Sequence, residues 1–177
     1  MRASARVADG AALFPLLGQN ETMDQAKSQA QSYAGHIHRD VTRRDGDLTI
    51  TLEFEARFLR RKRMVTDCGM AFMVDLAETV SLDAGDAFLL DDRRQIIIQA
   101  AAEPVVEIRH KDLAKIAWHI GNRHTPCEIR QECLVICRDH VLEDLLTRLG
   151  AILARTEAPF NPEGGAYGVG RTHGHAH

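Results

Sequence analysis

From Leu48 onward the chain alternates. Leu48, Ile50, Leu52 and Phe54 are separated by Thr49, Thr51 and Glu53, the two-residue period of a strand with one buried face. Short apolar runs follow at Met64-Val65, Phe72-Met73-Val74, Ala87-Phe88-Leu89-Leu90 and Ile96-Ile97-Ile98. Asp45-Gly46, Cys68-Gly69 and Ala84-Gly85-Asp86 supply turns between them. No helical period intrudes before about residue 110, so 36–105 reads as an all-β domain.

The pattern then changes. Val105 to Ile108 reads as a strand, and Asp112 is placed to cap a helix with Leu113, Ile116, Ala117 and Ile120 on one face, ended by Gly121. Cys127–Ile129 and Cys133–Cys137 read as two strands joined by a turn. Asp139 caps a second helix whose stripe is Val141, Leu142, Leu145, Leu146 and Leu149. Glu143 and Asp144 lie near its positive end, Arg148 in its last turn, and Gly150 stops it. Ala151 to Ala154 supplies a last strand. The order βαββαβ over 106–160 is ferredoxin-like. The expected class is α+β, an all-β domain followed by a ferredoxin-like domain and a disordered His-rich tail over 161–177.

Residues 1–35 show no sustained period and read as an extension, either disordered or carrying a short helix around Met23 to Tyr33. Arg2 and Arg6 precede an apolar stretch, but Pro15 interrupts it and no small-residue cleavage site follows closely, which reads against a secretory leader. No apolar run approaches the roughly 20 residues that span a bilayer. Each folded part is small enough that a partner surface is expected to complete its core, so a homodimer is anticipated.

Composition narrows the function. Over 177 residues, 45% are apolar and 27% charged, with a formal net charge of -3, an ordinary globular balance without the basic excess of a nucleic-acid or membrane binder. Cys68, Cys127, Cys133 and Cys137 form no C-x-x-C pair and fit no disulfide framework, so reduced thiols in the cytoplasm are the simpler reading. Histidine is the unusual residue, with nine in the chain.

His173, His175 and His177 alternate with Gly174 and Ala176 in a Gly-rich end, a composition that binds nickel, copper or zinc through imidazole. The interruptions argue against a purification-tag remnant, and an inert tail is the other reading. His124 closes the loop Gly121-Asn122-Arg123-His124. One imidazole makes no site, but beside a two-fold axis it appears twice. Cys127, three residues on, is either a thiolate ligand or a small apolar strand residue. His140 and His119 read as surface or capping positions, and His36 and His38 have chelating spacing yet read as solvated. His110 gives no separate signal. Cys133 and Cys137 share one strand face and read as core. Nucleophile-elbow, phosphate-loop, dinucleotide and H-E-x-x-H motifs are missing from the sequence. A metal hydrolase built on His119, His124 and Cys127 lacks a carboxylate at convincing spacing.

Three segments together resemble one family. Trp118-His119-Ile120-Gly121-Asn122-Arg123-His124-Thr125-Pro126 is similar to a signature of the urease accessory protein family UreE. So are Asp139-His140-Val141-Leu142-Glu143-Asp144-Leu145-Leu146 with Leu149-Gly150, and Ala158 to Tyr167 before the tail. The resemblance covers about 45–177. It implies a homodimeric nickel (Ni2+) metallochaperone, not an enzyme, that serves apo-urease together with the accessory GTPase UreG. Zn2+ and Cu2+ are expected to compete in vitro. It implies a first domain like the peptide-binding fold of heat-shock co-chaperones. It also implies a dimer-interface metal site from two copies of His124, with His173, His175 and His177 adding ligands. Some relatives carry a histidine two places before the position of His140, where Arg138 stands here, which puts a peripheral site at His140 in doubt. The rival reading is a peptide-binding chaperone module for urease assembly with an incidental tail.

Overall fold

The computed structural model describes residues 32–164. Its first part is a curled six-stranded sheet of β1 (Tyr33–His38), β2 (Leu48–Leu52), β3 (Phe58–Val65), β4 (Ala71–Ser81), β5 (Ala87–Leu90) and β6 (Gln95–Ala100), in the order β2-β6-β5-β1-β4-β3. A one-turn 3-10 helix, Glu55–Arg57, joins β2 to β3. β1 with β4 and β2 with β6 are parallel pairs, and the others are antiparallel.

The apolar runs read from the sequence are the buried centres of these strands. Ile50, Phe72, Val74, Phe88, Ile96 and Ile98 form one core, with the Phe72 and Phe88 rings 5.6 Å apart. Their burial is the main stabilising term, at roughly 25 cal/mol per Å² removed from water. Strand lengths differ from the sequence reading where polar residues dilute the pattern. β1 opens at Tyr33, where a short helix was one of the readings, and β3 carries four consecutive cations, Arg60 to Arg63. Residues 1–31, which hold most of that helix reading, and 165–177, which hold the tail reading, lie outside the described residues. The sheet's curl brings the β3–β4 turn against β2. The Asp67 carboxylate accepts from the Thr51 amide at 3.0 Å and the Thr49 hydroxyl at 2.7 Å, and the Asp67 amide donates to the Thr49 carbonyl.

The second part runs β7 (Ala102–Arg109), α1 (Leu113–Gly121), β8 (Glu128–Ile129), β9 (Leu134–Cys137), α2 (His140–Arg148) and β10 (Ile152–Pro159). Its sheet has the order β10-β7-β9-β8 and is antiparallel throughout, which is the ferredoxin-like arrangement. Alternation divides its two faces. Val106, Ile108, Leu134 and Ile136 meet Ile116, Ile120, Leu142 and Leu146 of the helices. Val105, Cys133 and Val135 face the other way and pack with Phe54 and Phe160. The fold is therefore α+β, with Cys133 in the core as expected.

Phe160 marks the junction of the two parts. It is fully buried, and its ring meets Phe54 edge-on at 5.2 Å. Arg57, also fully buried, donates to the Phe160 carbonyl and to Asn161 Oδ1, and its guanidinium lies 5.3 Å from the Phe54 ring centre. The Phe54 amide donates to Glu103 Oε1 at 2.8 Å. A fully buried arginine is tolerable here because its two terminal nitrogens meet carbonyl acceptors and its guanidinium lies over an aromatic ring. Among the described residues no helix is long and apolar enough to cross a membrane.

Candidate metal centre

α1 begins as its sequence predicts, with Asp112 accepting from the Lys115 amide at 3.1 Å. Its end differs. Gly121 is the last helical residue and is not the stop signal. The left-handed backbone that turns the chain away falls on His124, at φ 55°. The His124 amide donates to the Gly121 carbonyl at 2.9 Å, and the Thr125 amide reaches the Ile120 carbonyl at 3.5 Å. This pair of bonds is the Schellman closure of a helix.

α2 closes identically, but with glycine. The Gly150 amide donates to Thr147 and the Ala151 amide to Leu146, both at 3.0 Å, with Gly150 at φ 88°. Glycine accepts this conformation freely, whereas an L side chain meets the following carbonyl at a cost of about 1–2 kcal/mol. One structural slot thus holds Gly150 in one helix and His124 in the other. The His124 side chain is exposed, with no hydrogen-bond or ionic partner among the described residues, so no side-chain bond within them offsets that cost. Backbone strain borne without local compensation is characteristic of functional positions. Six residues earlier on α1, Trp118 stands 63% exposed, a large aromatic with its body in water.

The segment after β10 returns to this loop. The Asn161 amide donates to Glu128 Oε2 and the Glu163 amide to the Cys127 carbonyl, each at 2.9 Å. Glu128 also holds Arg130 at 2.6 Å, so its carboxylate joins β8 to the departing chain. With Phe160 buried and Arg57 gripping its carbonyl, the chain leaves the described residues from a fixed point beside Cys127. His173, His175 and His177 lie outside the described residues.

The remaining candidates have local explanations. Cys127 is half-buried against the helix-side core; burial pushes its thiol up to about 11, and its Sγ points to the Glu128 carbonyl at 3.8 Å. Without a metal, burial therefore holds it as the thiol at neutral pH. His140 is the exposed first residue of α2, where Asp139 does the capping, accepting from Val141 and Leu142. The His119 ring meets Trp118 edge-on at 5.0 Å. His110 Nδ1 accepts from the Asp112 amide, and His38 Nδ1 lies 3.0 Å from the Gln95 amide nitrogen. Among the described residues no group of three or more His, Cys, Asp or Glu side chains is gathered to hold a metal ion.

Several structural residues escaped the sequence reading. Glu143, expected only to complement the helix dipole, is almost completely buried and joins Arg138 at 2.7 Å to Arg155 at 2.8 Å. Arg138 thereby anchors the start of α2. Burial alone would raise the Glu143 carboxyl, but hydrogen bonds from Arg138 and Arg155 outweigh it and hold the group below the usual carboxylate range. Arg57, Asn161 and Glu128 carry no local motif, because their partners are distant in sequence.

Comparison with known proteins agrees with this architecture. The family of the UreE urease accessory protein N-terminal domain matches residues 31–101, and that of its C-terminal domain matches 103–177. The chain is 54% identical over 143 residues to the urease accessory protein UreE of Ruegeria pomeroyi, covering 78% of this chain and 96% of that one. It is 56% identical to UreE of Paracoccus denitrificans, covering 71% and 80%, and 53% identical to that of Rhodobacter capsulatus, covering 72% and 81%. An α+β chain of two sheets, matched along both by one accessory family, belongs to the UreE urease accessory proteins and is not an enzyme.

Proposed function

We propose that this chain is a nickel metallochaperone, carrying Ni2+ as cargo to apo-urease in the cytoplasm as a homodimer that works with the GTPase UreG. The observation that carries the reading is His124, an exposed imidazole kept in a backbone slot that favours glycine, with no side-chain partner among the described residues. A two-fold axis beside α1 brings two such imidazoles together, and the exposed Trp118 supplies apolar surface for the contact. His173, His175 and His177 complete the shell. Their chain departs beside Cys127, and the ten residues from Glu163 to His173 reach up to about 35 Å when extended. Ligands on a tethered tail dissociate one at a time, which suits a carrier that must release its cargo. Cys127 and His140 stay outside this set.

Nickel titration calorimetry on the full chain and on His124→Gly, with the dimer mass measured alongside, tests the reading. The expected result is one tight ion per dimer, lost in the variant. Unchanged tight binding would move the site to the tail and end the interface reading. Because the imidazoles must be neutral to ligate, affinity falls below about pH 6. Equal affinity at pH 5 and 7.5 would count against histidine ligation. If deletion of 171–177 combined with His124→Gly leaves urease activation intact, the chain acts instead as a peptide-binding module.

A further inference from the structure

The loop from β1 to β2 and the turn from β5 to β6 enclose a concave site of about 740 Å³, a size that takes a small-molecule ligand. It shares no residue with the segments around His124. Four arginines line it, Arg39, Arg44, Arg93 and Arg94, against one carboxylate, Asp47. Asp40, Asp45 and Asp91 belong to the same two connections but are not among its lining residues. This local excess of cations stands on a chain whose net charge is -3.

Two of the arginines are already held. Arg39 Nη1 donates to Asp86 at 2.5 Å and to the Ser81 carbonyl at 2.9 Å, and Arg94 pairs with Asp92 at 2.7 Å. The guanidiniums of Arg44 and Arg93 have no acceptor among the described residues. The Asp47 carboxylate accepts from the Arg44 amide at 2.7 Å, which fixes the loop and leaves the Arg44 side chain without an ion pair. Arg93 stands at φ 69°, a left-handed backbone that favours glycine. Its turn is closed by backbone bonds alone, from the Arg93 amide to the Leu90 carbonyl and from the Leu90 amide to the Arg94 carbonyl. Glycine would serve the fold as well there, and the exposed guanidinium is what glycine would remove. His38, also on the lining, adds a donor. With Gln95 Nε2 donating to its Nδ1 at 3.0 Å, the proton of the neutral ring is on Nε2.

The chemistry that answers this set is phosphoryl oxygen. Each guanidinium fork meets two such oxygens at once, and two unsatisfied forks on separate connections suit an anion with more than one phosphoryl group. We propose that this site binds a small phosphoanhydride anion, a diphosphate or longer, held by Arg44 and Arg93 and flanked by the anchored Arg39 and Arg94. The inference is independent of the nickel reading, and metal-free protein keeps the two apart.

The test is titration calorimetry with pyrophosphate on the full, metal-free chain at low salt. The proposal expects saturable binding with a Kd below about 1 mM, and binding weaker by about tenfold or more for orthophosphate. Arg44→Gln/Arg93→Gly should weaken pyrophosphate binding by about tenfold or more. It should melt no lower than the parent, because neither guanidinium is bonded and glycine suits the turn. Arg44→Gln alone serves if the double variant is unstable. Lys62→Gln/Arg63→Gln, which removes two exposed cations from β3, should bind as the parent does. Tripolyphosphate and ATP separate the sources of the anion: equal affinities mean that the phosphate chain alone is recognised, and tighter binding of ATP means a nucleotide. Lack of saturable binding, unchanged binding in both arginine variants, or an equal loss in the β3 variant would overturn the proposal. Pentaglutamate competing as well as pyrophosphate would also overturn it, since charge alone would then suffice.

Discussion

Replacing His124 by glycine should stabilise the metal-free protein while removing its proposed metal ligand. His124 holds φ 55° in the closure of α1, and its exposed side chain makes no bond among the described residues. Relief of the left-handed conformation contributes about 1–2 kcal/mol, and the greater freedom of glycine in the unfolded chain offsets roughly 0.5–1 kcal/mol of it. The net expectation is a gain of about 0.5–1 kcal/mol, or roughly 1–4 °C in Tm. His124→Ala keeps the backbone demand without the imidazole, so it should stay within about 0.5 kcal/mol of the parent. Thermal and urea unfolding of all three proteins in a chelator would measure the difference. Added nickel should then invert the order, because a ligand at 100 times its Kd stabilises the parent alone by about 2.7 kcal/mol. If His124→Gly is no more stable than His124→Ala without metal, the backbone argument fails. A loss beyond about 1 kcal/mol in both would mean that the imidazole has a structural role.

Two further outcomes rest on other sites. Glu143→Gln should cost roughly 1–2 kcal/mol at pH 7, discounted because Arg138 and Arg155 are partly exposed. The Glu143 carboxyl is held below its unfolded value, so its contribution is fully present above about pH 4.5 and is lost as pH falls through the lower folded value. Urea midpoints from pH 7 to 3 should therefore converge between parent and variant, and a constant gap would refute the ion-pair account. Iodoacetamide at pH 7.5 should label Cys68 well before Cys127. A hydrogen bond from Thr66 lowers the exposed Cys68 thiol, whereas burial pushes Cys127 up to about 11. Peptide mass mapping would check the order, and early labelling of Cys127 would revive it as a ligand.

The sequence determined what depends on neighbours along the chain. The alternation from Leu48, the Ile96–Ile98 run and the helical stripes at Ile116/Ile120 and Leu142/Leu146 are local periods, and each became a strand or helix facing a core. Asp112, Asp139 and Gly150 act within one turn of their own positions, so their capping roles were readable too. His124 was singled out by its segment, though not for its backbone. β1, whose pattern is broken by Gly35 and two histidines, went unread as a strand, and β3, diluted by four cations, was read only at its Met64-Val65 end. Only the tertiary structure decided which residues meet across long separations: Arg57 with Phe160 and Asn161, Glu128 with Asn161, and Glu143 between Arg138 and Arg155. It also decided that β3 ends the first sheet, because strand order is a property of pairing and not of pattern. Periodicity tells each residue which way to face; closure of the chain alone tells it what it will find there.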